Sequence, residues 1–435
     1  MTFMKQSTTF YRNQFIMCIA AIPLGAVTGA ICAVFGLTLL KITDYRTNHY
    51  LYLLPFLGIA GVFITWCYNR FGNDSAKGMA LLFEIHQDKR SSIPLRLIPF
   101  AVGSTWLTHL FGGSAGREGV ATQIGGTLGS YIGNKIRVSG ANKILMISGM
   151  AAGFSGLFHT PLAAVFFALE VLHCGVIEYS ALLPSFVSAY TASCISEILG
   201  LQKSTYFLDC RIVPSFSFIM KIIVLGVLFG LTGMLFSILL KKLRALLTNY
   251  IKNNIIRIFV FGTIIGIISI ICFQGRYSGP GTNLISACFS NDIMPWDFML
   301  KILFTALTLA AGYYGGEVVP LFSIGASAGF VLANVLGLPI ELCVALGYAA
   351  VFGSATNTFF APLFISTEIF GTEYLPVFAA VCAIAYMFNG NNSIYPLQIP
   401  HEAISKVLPL SEKNFAGKKI FKILNHQYKD RKVYH

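Results

Sequence analysis

Charged side chains are scarce in this chain: Asp, Glu, Lys and Arg make up 11% of its 435 residues, against about 25% in an ordinary soluble domain. So few charges cannot cover a surface that faces water, and most soluble folds are excluded. Acids are scarcer than bases, 18 against 31, which leaves a net charge of +13. Paired cysteines are lacking too. The ten cysteines stand singly, mostly inside apolar runs and without C-x-x-C or metal-ligand spacing. They read as small packing residues, and neither a metal nor a cofactor is implied.

What is present is apolar length. Phe15 to Leu40, Leu51 to Tyr68, Phe218 to Leu240, Ile255 to Phe273 and Tyr374 to Phe388 each approach or exceed the roughly 20 residues that span a bilayer. Other runs are shorter or broken by glycine. They suggest helices that stop inside the protein, which lipid tolerates only where protein or a watery cavity satisfies the freed backbone. An all-α, multi-pass membrane protein is expected, with the first run retained as a span because no small-residue cleavage site follows it.

The excess of base might suggest nucleic acid, but its placement argues against that partner. Lys89, Arg90 and Arg96 form one short basic loop, Lys135, Arg137 and Lys143 another, and Lys241, Lys242, Arg244, Lys252 and Arg257 a third; a basic tail follows Pro400. By the positive-inside rule these segments face the cytoplasm. The tail has the charge to touch anionic lipid, although a solvated terminus explains it equally well.

Sliding the chain against itself reveals an internal repeat. Gly116-Arg117-Glu118-Gly119 lies over Gly316-Glu317-Val318-Val319, with Leu107-Thr108 over Leu307-Thr308, Gly125 over Gly325 and Gly129 over Gly329. Downstream, Gly149-Met150-Ala151-Ala152 resembles Gly347-Tyr348-Ala349-Ala350, and Pro161-Leu162 resembles Pro362-Leu363. The expected organisation is a short cytoplasmic N-terminus (1–14), a first membrane repeat (15–199), an extracellular linker (200–215), a second repeat (216–400) and a basic cytoplasmic tail (401–435). Repeats of this size suggest transporter halves of inverted topology, with a binding site where interrupted helices meet.

The repeated glycine segments look like helix N-termini approached by extended chain. There the first four N–H groups lack intrahelical partners and the macrodipole adds about half a positive charge, so an anion is held without a full cation. The same glycines, spaced G-x-x-x-G at Gly125, Gly129 and Gly133 and at Gly325 and Gly329, also permit close helix packing. Both roles are compatible, since packing concerns the helix body and anion binding its start.

Gly116-Arg117-Glu118-Gly119-Val120 resembles the G-R-E-G-P signature of the chloride-channel (CLC) superfamily. Gly315-Gly316-Glu317-Val318-Val319-Pro320 resembles its G-G-x-F-x-P segment, and Ile394-Tyr395 its late tyrosine motif. The resemblance implies a CLC fold of two inverted repeats with interrupted helices, assembled as a homodimer with one anion pathway per subunit. It assigns Glu118 to gating and proton transfer, and Gly116, Gly119, Val318, Val319 and Tyr395 to the anion pathway. A carboxylate at a helix N-terminus inside a membrane suits that switch, because the dipole favours its charge and desolvation opposes it. Glu317 is a weaker candidate, for an accessory proton or gating role. Glu170 and Glu368, each following a Pro-Leu, are candidates for structural pairs or water contacts.

Departures from the family pattern refine the expectation. Where chloride-handling members carry G-S-G-I-P, this chain offers Ala76-Lys77-Gly78-Met79-Ala80-Leu81, so Met79 replaces the serine. Val120 replaces the proline of G-R-E-G-P, and Val171 stands where many exchangers carry a second, proton-relaying glutamate. Together these resemble the fluoride/proton antiporter branch. Fluoride, protons and membrane lipid are the expected partners, with chloride as a further one, and the location is a plasma membrane, in a bacterium the inner or cell membrane. A chloride/proton exchanger or a passive anion channel on the same fold is the alternative.

An enzyme reading rests on Gly153-Phe154-Ser155-Gly156, a G-x-S-G pattern similar to that around the nucleophile of rhomboid-type membrane proteases. Such a serine needs a base, usually histidine. None occurs from Cys174 through Pro400, and His159 and His173 are isolated, so the chain is read as a transporter and not an enzyme.

Overall fold

In a computed structural model, the structure describes residues 2–203, 205, 206, 208, 210 and 215–400. The expected basic tail, 401–435, and part of the expected linker lie outside the described residues. Among those described there are α-helices and short 3-10 or π turns but no strand.

The helices fall in two series of matching order. The first comprises α1 (Thr2–Asn48), α2 (Tyr50–Leu53), α3 (Leu57–Cys67), α4 (Ala80–His86), α5 (Leu97–Leu110), α6 (Glu118–Gly133), α7 (Ala141–Phe158), α8 (Pro161–Glu170) and α9 (Leu182–Ile198). The second comprises α10 (Phe216–Tyr250), α11 (Asn254–Phe273), α12 (Thr282–Phe289), α13 (Asp297–Ala311), α14 (Val318–Leu336), α15 (Ile340–Thr356), α16 (Phe360–Phe370) and α17 (Leu375–Met387). From α4 onward each member has a counterpart about 200 residues later. Both series belong to one packed unit ending at Ile399.

Among the described residues, five helical stretches are long and apolar enough to cross a membrane: Phe10–Asn48, Tyr50–His86, Phe216–Tyr250, Asn254–Ile271 and Val318–Leu336. One span read from the sequence needs correction. Tyr374 to Phe388 supplies a helix of only 13 residues, Leu375–Met387, because Pro376 sits in its first turn and the chain turns after Met387. The Leu51 to Tyr68 run lies within the Tyr50–His86 stretch, where its helix changes to a 3-10 turn at Leu54–Phe56 and resumes as α3. Val318–Leu336, by contrast, has spanning length although most of it is buried in protein.

The glycine stripes lock α6 against α7 and α14 against α15. A methyl group added at Gly125 would sit 1.8 Å from the Gly149 carbonyl oxygen, and one at Gly325 would sit 2.0 Å from that of Gly347. No side chain fits at those distances, so the backbones touch and small residues are obligatory. Half-helices α8 and α16 are fastened differently. Glu170, at the end of α8, accepts hydrogen bonds from the N–H groups of Phe359 (3.1 Å), Phe360 (3.2 Å) and Ala361 (2.7 Å), at the start of α16. Glu368, near the end of α16, returns the favour by accepting from Leu162 and Ala163, at the start of α8, both at 3.0 Å. Each carboxylate thus satisfies orphan donors of the other helix, where a buried and unpaired N–H would be costly.

Ser155 is part of the packing. Its hydroxyl donates to the Ala189 carbonyl at 2.8 Å, tying α7 to α9, while the His159 ring nitrogens lie 3.3 Å from Ser193 and Ser196. The hydroxyl is bonded to backbone and the imidazole to other serines, which is not a nucleophile-base pair.

Candidate functional site

The repeat brings its own equivalents face to face. The Gly116 N–H donates to the Gly316 carbonyl at 2.6 Å, and the Gly316 N–H donates back to the Gly116 carbonyl at 2.8 Å, an isolated antiparallel bridge. Immediately beyond it α6 and α14 begin, so two helix N-termini open onto the same point. A local positive potential with unpaired N–H donors results.

Glu118 fills that point. It is the first residue of α6 and only 1% exposed. One carboxylate oxygen accepts from the Arg117 N–H at 2.8 Å, and the other accepts from the Val318 N–H at the start of α14. The Arg117 guanidinium is not its partner; it lies over the Phe158 ring, 5.4 Å from the centroid. The carboxylate therefore takes the place an anion would take between the two helix starts. It fits only because its neighbours lack side chains: an added methyl at Gly116 would lie 2.6 Å from it, and one at Gly316 2.0 Å.

The remaining sequence candidates are distributed around this point. Gly119 is in the first turn of α6, where a methyl would approach the Gly316 Cα at 3.3 Å. Val318 and Val319 begin α14 and are buried; their N–H groups, not their side chains, carry polarity. Met79 precedes α4, and its sulfur accepts from the Thr122 hydroxyl at 3.7 Å, one turn into α6. Tyr395 is buried, with its ring 5.6 Å from that of Phe83 on α4 and within Coulombic range of both Glu317 and Glu118. Its hydroxyl has no hydrogen-bond partner among the described residues. Glu317 immediately precedes α14, with its carboxylate 3.9 Å from a methyl placed at Gly119.

A family model described as voltage gated chloride channel matches residues 60–390, most of the chain and all of this site except Tyr395. The chain belongs to the voltage-gated chloride channel (CLC) family. Among its CLC relatives of known structure, a CLC-type fluoride/proton antiporter is 46% identical, with a TM-score of 0.88 over 89% of this chain and 99% of that one. A slow cyanobacterial Cl−/H+ antiporter, 21% identical, shares the fold with a TM-score of 0.75 over 86% of this chain and 94% of that one. A chloride/fluoride channel protein of Pseudomonas syringae pv. tomato is 33% identical over 417 residues, 94% of this chain and 91% of the relative. The CLC chain is thus a membrane protein of α-helical architecture.

Sequence reasoning missed Thr122. It lies four residues after Glu118, which places both on one face of α6, and that spacing was the available signal. Its hydroxyl also reaches the Glu118 and Gly119 carbonyls at 3.2 and 3.0 Å, so it links the start of α6 to Met79.

Proposed function

We propose that this CLC protein is a secondary active fluoride/proton antiporter that uses an inward proton gradient to export fluoride. One observation carries the reading: the Glu118 carboxylate occupies an anion's place on the N–H groups of Arg117 and Val318. An anion arriving there competes with the carboxylate, and protonation weakens the carboxylate's hold, so anion and proton exchange at one position. The similarity to a CLC-type fluoride/proton antiporter supports fluoride as the anion.

In this reading Glu118 gates and carries the proton. Backbone at Gly116, Gly119, Val318 and Val319 supplies donors or close approach, Tyr395 offers a hydroxyl from the inner side, and Met79 narrows the route where chloride-handling relatives place a serine. Glu317 is an accessory group for the proton. Fluoride is strongly hydrated, so N–H donors must replace much of its water without a fixed cation that would trap it. The protein works as a homodimer in lipid of a plasma membrane. Residues 1–14, the basic 241–257 stretch and the 401–435 tail are cytoplasmic, repeats 15–199 and 216–400 span, and the 200–215 linker is extracellular; the basic stretch, expected as a loop, is the end of α10 and the start of α11 joined by residues 251–253.

A passive channel is the second reading, favoured by the name of the Pseudomonas relative. Recording fluoride and pH together in proteoliposomes separates the two. Fluoride movement accompanied by opposite proton-equivalent movement fits the antiporter; fluoride movement at constant pH fits the channel.

A further inference from the structure

Away from Glu118, two cations are buried side by side without a carboxylate partner among the described residues. Arg46, near the end of α1, is 6% exposed, and Lys301, on α13, is fully buried. They meet across Gly279. The Arg46 guanidinium lies against its Cα, 2.3 Å from where a methyl would be, and the Lys301 ammonium donates to its carbonyl at 2.7 Å. Lys301 is otherwise saturated, donating to the Ser114 hydroxyl at 2.9 Å and the Tyr277 carbonyl at 3.0 Å. Arg46 is not saturated. Of its five N–H donors one reaches a carbonyl, that of His109 at 3.3 Å, and no other hydrogen bond of its side chain occurs among the described residues.

The guanidinium borders a cleft of about 530 Å³ that opens to the surface between the ends of α1 and α11 and the chain preceding α12. No Asp or Glu lines this cleft. The nearby Asp297 is already engaged by Arg276 at 2.8 Å, by the Tyr277 hydroxyl at 2.6 Å and by the Met294 N–H at 2.9 Å. Also lining the cleft is Ser278, 2% exposed, whose hydroxyl has no hydrogen-bond partner. A buried polar atom without a partner is costly, and a charge taken out of water without a counter-ion is costlier. Both costs vanish with one occupant.

We propose that this cleft is a second anion site, in which a small, singly charged inorganic anion is held by the Arg46 guanidinium and the Ser278 hydroxyl, with the Lys301 ammonium behind them. Two guanidinia line the cleft, but that of Arg276 is compensated by Asp297 and Asp292, so the uncompensated one of Arg46 sets the single charge. The site lies at the C-terminal end of α11, opposite the basic 241–257 stretch where α10 ends and α11 begins, hence on the outer face if that stretch is cytoplasmic. It is separate from the Glu118 position, yet joined to it through Lys301 and Ser114, the residue that leads into Ala115, Gly116 and Glu118. The anion held there braces the segment that presents Glu118. Nothing in this assignment depends on which anion is transported.

Bromide is the probe, because its anomalous scattering locates it. Crystals of the full-length protein soaked in bromide should show a peak in the cleft within hydrogen-bond distance of Arg46 and Ser278. The peak should persist in Glu118→Gln and be lost in Arg46→Gln. Ser278→Ala removes a hydroxyl that bonds nothing in the protein, so it should fold normally. Its bromide-dependent thermal stabilisation, titrated against gluconate at constant ionic strength, should need roughly tenfold more bromide, the value of one hydrogen bond to a charge. A cleft without bromide in the wild type overturns the proposal, and so does a Ser278→Ala protein that responds to bromide as the wild type does, even if Arg46→Gln fails to fold.

Discussion

The Glu118 carboxylate accepts a hydrogen bond from the N–H of Val318, 200 residues further along the chain. The acid begins α6 in one half of the repeat and the donor begins α14 in the other, so this contact exists only where the two halves meet. Its hold on Val318 is a backbone contact at a helix start, a type of donor that an anion uses equally well.

Replacing Glu118 by glutamine preserves size but removes the titrating group. Fluoride-driven proton movement should fall by about 100-fold or more, the usual scale for losing a positioned proton carrier, while size-exclusion profiles stay those of the folded wild type. Proton uptake of wild-type magnitude from a folded Glu118→Gln protein would remove this residue from the centre of the mechanism.

Gly316→Ala tests whether the carboxylate needs the space it occupies. The added methyl falls 2.0 Å from Glu118, so the carboxylate must leave Val318 or the two strands of the Gly116–Gly316 bridge must part. Overpacking of this kind costs about 1–3 kcal/mol. Coupled flux should drop sharply, and Gly103, in the body of α5 with nothing within 4 Å of an added methyl, provides the tolerant comparison. Normal coupling in Gly316→Ala would contradict the crowded geometry.

The reciprocal caps predict an order of stabilities. Glu170→Ala leaves three N–H groups of α16 without their acceptor, and Glu368→Ala leaves two of α8. Each should destabilise by about 1–3 kcal/mol, with the larger loss for Glu170 because more buried donors go unpaired. Thermal unfolding in detergent measures this, and an unchanged midpoint for Glu170→Ala would show that the cap contributes nothing.

Met79→Ser restores a hydroxyl where chloride-handling relatives have one and deletes the sulfur that accepts from Thr122. Chloride flux relative to fluoride should rise roughly tenfold, the scale of one hydrogen bond to an anion. Matched chloride and fluoride efflux from vesicles reads the ratio; an unaltered ratio would exclude Met79 from selectivity.

Much of this arrangement was legible in the sequence, and the reasons for the rest are physical. Gly116 and Gly316 announce themselves by self-similarity, and Glu118 by being an acid within apolar chain. Which helix start faces which is not written in either segment, because the bond from Val318 depends on how two distant halves are placed together. The same holds for Glu170 and Glu368, flagged as structural acids but without a visible hint that each caps the other's helix. Apolar length misled at Tyr374 to Phe388, where Pro376 and the turn after Met387 shorten the helix to 13 residues. Arg46 and Lys301 carry no signal in the sequence, since burial of a charge shows only once α1, α13 and Gly279 are assembled.

The most direct test of proton-driven fluoride export is uphill movement. Purified protein in sealed vesicles, with equal fluoride on both sides and protons more concentrated outside, should drive fluoride out of the lumen as protons enter, and should do so much less with chloride. Fluoride that stays at equal concentration on both sides while the proton gradient persists, in vesicles where fluoride still exchanges passively, would contradict coupled export.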